Sequence, residues 1–133
     1  MSYQLSAVSM KPTIAITMGD PTGVGPEVVL NALADKKVRQ LCNPVILGDE
    51  AVLRFISAKC KLQNTNCKII NLSNLNSKKL KPGRPDNACA KAMMTYIEEA
   101  VRMAMSGDAD AIVTGPISKE AINKAGYDFH GHT

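Results

Sequence analysis

The stretch Thr17-Met18-Gly19-Asp20-Pro21-Thr22-Gly23-Val24-Gly25-Pro26-Glu27 constrains this chain more than any other part of it. The apolar run from Thr13 to Met18 enters it and the amphipathic segment from Val28 to Leu33 leaves it. A strand end, a tight corner and a helix start must therefore fit within about twenty residues. Gly25 suits the helix N-cap, Pro26 the first helical position, and Glu27 the positive end of the helix dipole. Amides at such a corner point outward unpaired and can hold a phosphate or carboxylate. Gly19, Gly23 and Gly25 would let the backbone approach a ligand closely. The plain alternative is a strand-to-helix turn with no ligand. A dinucleotide fingerprint is disfavoured, because Val28 stands where its third glycine belongs, and no Gly-Lys-Ser/Thr of a P-loop is present.

Size and composition narrow the class. With 133 residues, 45% of them hydrophobic and 21% charged, the chain fits one α/β domain with a sizeable core. No apolar run reaches the ~18 residues that a membrane span needs, so no membrane partner is expected. Residues 1–10 lack the basic start and apolar centre of a signal peptide and read as a flexible extension ahead of a domain over residues 11–133. The net charge of +4 is mild, and Lys78-Lys79-Leu80-Lys81 reads as a solvated loop. Tyr3, Tyr96, Tyr127, Phe55 and Phe129 make no stacking platform, so no nucleic-acid partner is expected. Cys42, Cys60, Cys67 and Cys89 have no Cys-x-x-Cys spacing and read as reduced thiols of a cytoplasmic protein.

Taken in order, the chain alternates strand and helix. Thr13 to Met18 is a strand, Pro26 to about Gln40 a helix with Val29, Leu33, Val38 and Leu41 on its apolar side, and Pro44 to Gly48 a buried parallel strand. Asp49 caps a helix carrying Val52, Phe55, Ile56 and Lys59 at helical spacing, and Cys67 to Leu72 is a third strand. The polar stretch Ser73 to Arg84 reads as a poorly ordered loop with a Pro82-Gly83 turn. Asp86 or Asn87 starts the longest helix, to about Met105, with Ala90, Met94, Ile97, Val101 and Ala104 as its buried stripe and Gly107 as its stop. Ala109 to Thr114 is a further buried strand running into the corner Gly115-Pro116. Ser118 caps a helix from Lys119 to Lys124, which Gly126 ends. This order predicts a largely parallel sheet flanked by helices. Ligands of such sheets lie beyond the carboxyl ends of the strands, so the two glycine-proline corners are predicted to share one edge.

Gly19 to Glu27, then Ile112-Val113-Thr114-Gly115-Pro116-Ile117-Ser118-Lys119, then Gly126-Tyr127-x-Phe129-x-Gly131-His132-Thr133, taken together, resemble the amino-terminal portion of the 4-hydroxythreonine-4-phosphate dehydrogenase family and its threonate and erythronate phosphate relatives. The resemblance covers nearly the whole chain from Lys11 onward. It implies the two-domain fold of the isocitrate and isopropylmalate dehydrogenases, with the active site in the interdomain cleft and a homodimer completing it. It also implies oxidation of 4-phosphooxy-threonine or a related phosphorylated hydroxy acid, such as threonate or erythronate phosphate, with NAD or NADP and a divalent metal (zinc, magnesium, manganese or cobalt). Decarboxylation would then give 3-amino-2-oxopropyl phosphate for pyridoxal phosphate synthesis.

The family's substrate-binding His-Thr pair maps onto His132 and Thr133. Asp20, Gly23, Gly25 and Lys119 are implied to lie close to the substrate or its anionic group, and no catalytic residue is assigned. Each has a plain alternative: His132 a solvated end residue, Lys119 a surface charge, Asp20 a turn former through its own side chain. His130-x-His132 has no acid or third histidine beside it to make a metal site. The resemblance places the family's three metal-binding histidines beyond Thr133, so no metal ligand is expected here and the 133-residue chain alone is expected to be inactive. Two rival readings are a non-catalytic domain binding a small phosphate-like anion and a half-enzyme that needs a complementary chain.

Overall fold

The computed structural model of the chain describes residues 11–62 and 67–131, so the expected extension over residues 1–10 lies outside the described residues. Four short apolar strands form one sheet: β1 (Thr13–Thr17), β2 (Asn43–Gly48), β3 (Lys68–Asn71) and β4 (Ala111–Thr114). Every pairing is parallel and the order is β3-β2-β1-β4, so the strand order reverses between β1 and β4. The helices are α1 (Gly25–Ala34), α2 (Lys36–Leu41), α3 (Glu50–Lys59), α4 (Asn87–Ser106) and α5 (Lys119–Lys124). Right-handed crossovers put α1 to α3 on one face and α4, which carries the chain from β3 back to β4, on the other. Helix α1 packs against α3, and α5 packs on α4. The predicted α/β architecture with a parallel sheet is the one observed.

The core is where the apolar runs placed it. Ala15, Ile46 and Leu47 of the central strands, with Met18 just past β1, meet Leu33, Val52, Leu53 and Tyr96 from the helices, all essentially inaccessible. A second cluster joins Cys89, Ala90 and Met93 of α4 to Ile122 and Phe129. Asp49 caps α3 as expected, its Oδ1 accepting from the Val52 amide at 3.1 Å. Asp86 caps α4 and Gly107 ends it in the left-handed conformation. Ser118 and Gly126 bound α5.

Several expectations need correction. The helix predicted to run from Pro26 to Gln40 is two helices, because the Asp35 carboxylate accepts from the Lys37 amide at 2.8 Å and starts a new one. The Arg39 guanidinium then donates to the carbonyls of Leu33 and Ala34 at the end of α1. Leu41 is left exposed rather than on a buried side, and Phe55 is 40% exposed. The Ser73–Arg84 stretch is anchored: the Leu75 amide donates to Asp49 at 2.7 Å, Leu75 and Leu80 pack on the core, and Ser77–Lys79 forms a 3-10 turn.

The buried stripe of α4 is Cys89, Met93, Tyr96, Ala100 and Met103, one residue out of step with the predicted one. Of the predicted stripe only Ala90 is buried; Met94 and Ile97 are half-buried and Val101 is exposed. The strand predicted as buried, β4, is an edge strand with Ile112 37% and Val113 52% exposed, because no strand among the described residues lies beyond it.

Candidate functional site

Strands β1 and β4 deliver the two glycine-proline corners to the same carboxyl edge, at the point where the strand order reverses. Open parallel sheets bind their ligands at such a point. The corners touch: the Asp20 amide donates to the Pro116 carbonyl at 2.8 Å, and the Gly115 amide donates to the Thr17 carbonyl at 2.8 Å. The prediction that they share an edge holds.

Asp20 is the turn former of the first corner. Its Oδ1 accepts from both the amide and the hydroxyl of Thr22, each at 2.8 Å. The Gly23 amide donates back to the Asp20 carbonyl at 3.1 Å and the Val28 amide to the Val24 carbonyl at 3.0 Å. The amides of Val24, Gly25 and Glu27 make none of these bonds. They stand at the start of α1, where the helix dipole is positive, and can receive an anion.

The glycines act differently from expectation. Gly25 is the first residue of α1 and Val24 is its N-cap, with no side-chain capping bond. A Cβ on Gly25 would collide with the Met18 carbonyl oxygen, and one on Gly115 would lie 2.8 Å from the Met18 carbonyl and the Thr17 oxygen. Both glycines therefore permit backbone-to-backbone packing around the fully buried Met18, a residue the sequence reading passed over as the last of an apolar run. Gly23 meets nothing closer than Asp20 Cβ at 3.5 Å. Of Gly19, Gly23 and Gly25, only Gly19 has a positive φ, +75°, and a Cβ there would strike the Pro116 carbonyl oxygen.

A third segment joins the edge. The Gly83 amide donates to the Thr22 carbonyl at 2.8 Å, which holds Lys81 and Arg84, both exposed, next to the first corner. Below it, Asp86 and Cys89 open α4. The bond from the Cys89 amide holds the Asp86 carboxyl below its ordinary value. Burial, followed by the negative charges of Asp86 and Asp20, pushes the Cys89 thiol up to about 12. Such a thiol is inert at neutral pH and is not a nucleophile.

Lys119 is exposed and is the first residue of α5, three residues after Pro116. His130 pairs with Asp128 at 2.8 Å on the open surface, so an acid does stand beside the His130-x-His132 stretch, contrary to the sequence reading. Phe129 is buried on α4 and α5, and its amide donates to the Asn123 side chain, so the tail is fixed as far as that point. His132 and Thr133 lie outside the described residues. Among the described residues no three His, Cys, Asp or Glu groups converge to hold a metal, and no helix is long and apolar enough to cross a membrane.

The profile of the family described as "Pyridoxal phosphate biosynthetic protein PdxA" matches residues 40–133. The 4-hydroxythreonine-4-phosphate dehydrogenase of Desulforapulum autotrophicum is 41% identical over 138 residues, covering 92% of this chain and 41% of the relative. A Clostridium botulinum protein named as a provisional D-threonate 4-phosphate dehydrogenase is 35% identical, covering 95% of this chain and 42% of its own length. The crystal structure of a 4-hydroxythreonine-4-phosphate dehydrogenase from Burkholderia phymatum superposes with a TM-score of 0.84 at 32% identity, covering 91% of this chain and 41% of that one. The chain thus spans about two fifths of the length of the curated relatives it matches. With the shared fold, the corner geometry and these matches together, the chain belongs to the PdxA family of pyridoxal phosphate biosynthetic proteins.

Proposed function

We propose that this chain is the amino-terminal part of a dehydrogenase acting on 4-phosphooxy-threonine or a closely related phosphorylated hydroxy acid. Its own task is to hold an anionic group of that substrate at the corner joined by Asp20 and Pro116. The observation that carries the reading is this junction of two corners at the reversal of strand order, beside the unpaired amides of Val24, Gly25 and Glu27. Lys81 and Arg84 add positive charge next to it. Lys119, His132 and Thr133 complete the proposed substrate contacts, the last two by their match to the family's His-Thr pair.

In the full reaction the substrate's secondary alcohol would give up a hydride to NAD or NADP and a proton to a base, and the resulting β-keto acid would lose CO2. A bound divalent metal would supply Lewis-acid stabilisation of the oxyanions. The resemblance places its histidine ligands beyond Thr133. This chain's contribution is therefore binding and orientation, within a two-domain homodimer of the isocitrate dehydrogenase type.

Titration of the chain with inorganic phosphate, followed by melting temperature, tests the reading. A ligand bound only by the folded state stabilises it by about 2.7 kcal/mol at a hundred times its Kd. A saturable rise is expected with phosphate and a larger one with 4-phosphooxy-threonine. No rise at tens of millimolar of either compound refutes the anion corner. Joining the chain to the remainder of the Desulforapulum autotrophicum relative should give NAD(P)-dependent turnover of 4-phosphooxy-threonine; a folded but inactive product refutes the catalytic assignment.

A further inference from the structure

Asp49, the residue after β2, is fully buried and makes no ion pair among the described residues. Taking a carboxylate out of water without a cation beside it is costly, and here hydrogen-bond donors alone offset that cost. One donor is the Val52 amide of α3. The other two come from the segment after β3, the Ser73 hydroxyl at 2.8 Å and the Leu75 amide at 2.7 Å. The Asp49 amide in turn donates to Met18 Sδ at 3.4 Å, and Met18 is the residue on which Gly25 and Gly115 close.

The segment from Ser73 to Arg84 runs along the carboxyl edge of the sheet, from β3 past β2 to the corner after β1. Just before it the Leu72 amide donates to the Gly48 carbonyl at 2.8 Å, and Leu75 and Leu80 pin its middle on the core. Its end reaches the first corner, where the Gly83 amide meets the Thr22 carbonyl at 2.8 Å. Pro82 and Gly83, the latter at φ +70°, form the centre of a tight turn closed by the Arg84 amide on the Lys81 carbonyl at 3.0 Å. Lys81 and Arg84 are thus held a turn's width apart beside Thr22. Both are exposed, and neither has an ion pair among the described residues. Two unneutralised cations on a fixed turn raise the local concentration of an anion.

We propose that this segment is a strap of the anion site, in which Lys81 and Arg84 draw the phosphate group into the corner and Asp49 is the positioning residue that holds them there. Asp49 acts on the site through Ser73, Leu75 and the clasp of Gly83 on Thr22. The attraction of the anion rests on the anion-corner reading above; the positioning stands on the hydrogen bonds alone.

Isothermal titration of the 133-residue chain with inorganic phosphate tests the proposal, at a temperature where every variant is folded. Arg84→Gln is expected to weaken phosphate about fivefold, to lessen the salt dependence of binding, and to leave the melting temperature within about 2 °C. Asp49→Ala should weaken phosphate by a similar factor. Adding Arg84→Gln to it should then cost less than about twofold more, because the strap no longer holds Arg84 at the corner. Asp49→Asn, which keeps an acceptor oxygen, should recover most of the affinity. Met103→Ala truncates a buried side chain near the other end of α4 and also destabilises the fold, yet should leave the affinity within about twofold. Where Asp49→Ala does not fold, Ser73→Ala removes one of the two ties and should give a smaller shift of the same kind. Additive effects of Asp49→Ala and Arg84→Gln, or equal affinities of Asp49→Ala and Met103→Ala, overturn the proposal. If the parent chain binds no phosphate, the anion corner fails and amide exchange at Gly83 decides the positioning. Asp49→Ala must quicken that exchange at least ~10-fold beyond Met103→Ala, and equal quickening overturns it.

Discussion

Gly25 lies against the carbonyl oxygen of Met18 with no room for a β-carbon between them. Strand end and helix start therefore meet at van der Waals distance, and Gly115 closes on the same residue from β4. Gly25→Ala and Gly115→Ala must push backbone away from backbone, which costs about 1–3 kcal/mol as overpacking. Gly23→Ala meets only ordinary contact at 3.5 Å. It is expected to be neutral, or to stabilise by up to about 1 kcal/mol through the unfolded chain. Urea unfolding of the three variants checks the order. A Gly23→Ala cost equal to that of Gly25→Ala would contradict it.

Asp49 ties three segments together while fully buried. Oδ1 caps α3, and Oδ2 accepts from the Leu75 amide at 2.7 Å and the Ser73 hydroxyl at 2.8 Å; that hydroxyl in turn meets the Tyr96 hydroxyl at 2.7 Å. Removing the carboxylate strands the half-buried Leu75 amide and leaves α3 uncapped. Asp49→Ala is expected to cost about 2–4 kcal/mol, from a lost cap and an unsatisfied, half-buried donor. Asp49→Asn keeps one acceptor oxygen and should cost less. Amide exchange at Leu75 separates this mechanism from general loosening, since it must quicken first.

The structural roles that sequence patterns carry well are the ones set by a single neighbour in the chain. Asp49, Asp86 and Ser118 as caps, and Gly107 and Gly126 as helix ends, follow from backbone geometry alone. Roles set by a partner far along the chain did not come through. Gly25 is needed for Met18, yet a glycine before a proline reads equally well as a cap. The α4 stripe was misplaced because Met94, Ile97 and Val101 match the period of a buried face as well as Met93, Tyr96 and Ala100 do. Periodicity records every face the sequence has made apolar, including those bare among the residues here. The edge strand β4 misled for the same reason. The union of the two corners was legible, because strand direction in a parallel sheet fixes which ends come together.

Cys89 gives a pH signature. Burial raises its thiol to about 12, against an ordinary value near 9.0. Between these values the unfolded chain loses the proton and the folded one keeps it, so the unfolded state binds fewer protons and stability falls as pH rises. The contribution is intact below pH 9 and is lost progressively toward pH 12. Tyr96, whose hydroxyl is also raised by burial, steepens the fall from its ordinary value of 10.0 upward. Stability measured by urea melts from pH 8 to 11 should decline, and Cys89→Ala should flatten that slope even though it lowers the absolute value. At pH 8 iodoacetamide should modify the partly exposed Cys42, Cys60 and Cys67 and spare Cys89 until the chain unfolds.

Asp20 sets two opposing effects on the proposed anion site, and two substitutions separate them. Its carboxylate holds the Thr22 amide and hydroxyl and so shapes the corner, but it also places a negative charge near any anion bound there. Asp20→Asn retains an oxygen acceptor for Thr22 and removes the charge. Phosphate should then bind a few-fold more tightly, as expected for loss of one nearby like charge partly screened by solvent. Asp20→Ala removes charge and acceptor together, freeing the Thr22 amide and the chain leading to Val24 and Gly25. Binding should weaken about tenfold and stability fall by about 3 kcal/mol, since two hydrogen bonds to a charged group are lost. Thr22→Val, which deletes only the hydroxyl bond, should fall between the parent chain and Asp20→Ala. Isothermal titration with phosphate reads all three. If Asp20→Asn instead abolishes binding, the carboxylate itself contacts the ligand or its counter-ion, and the site is not an amide corner for a bare anion.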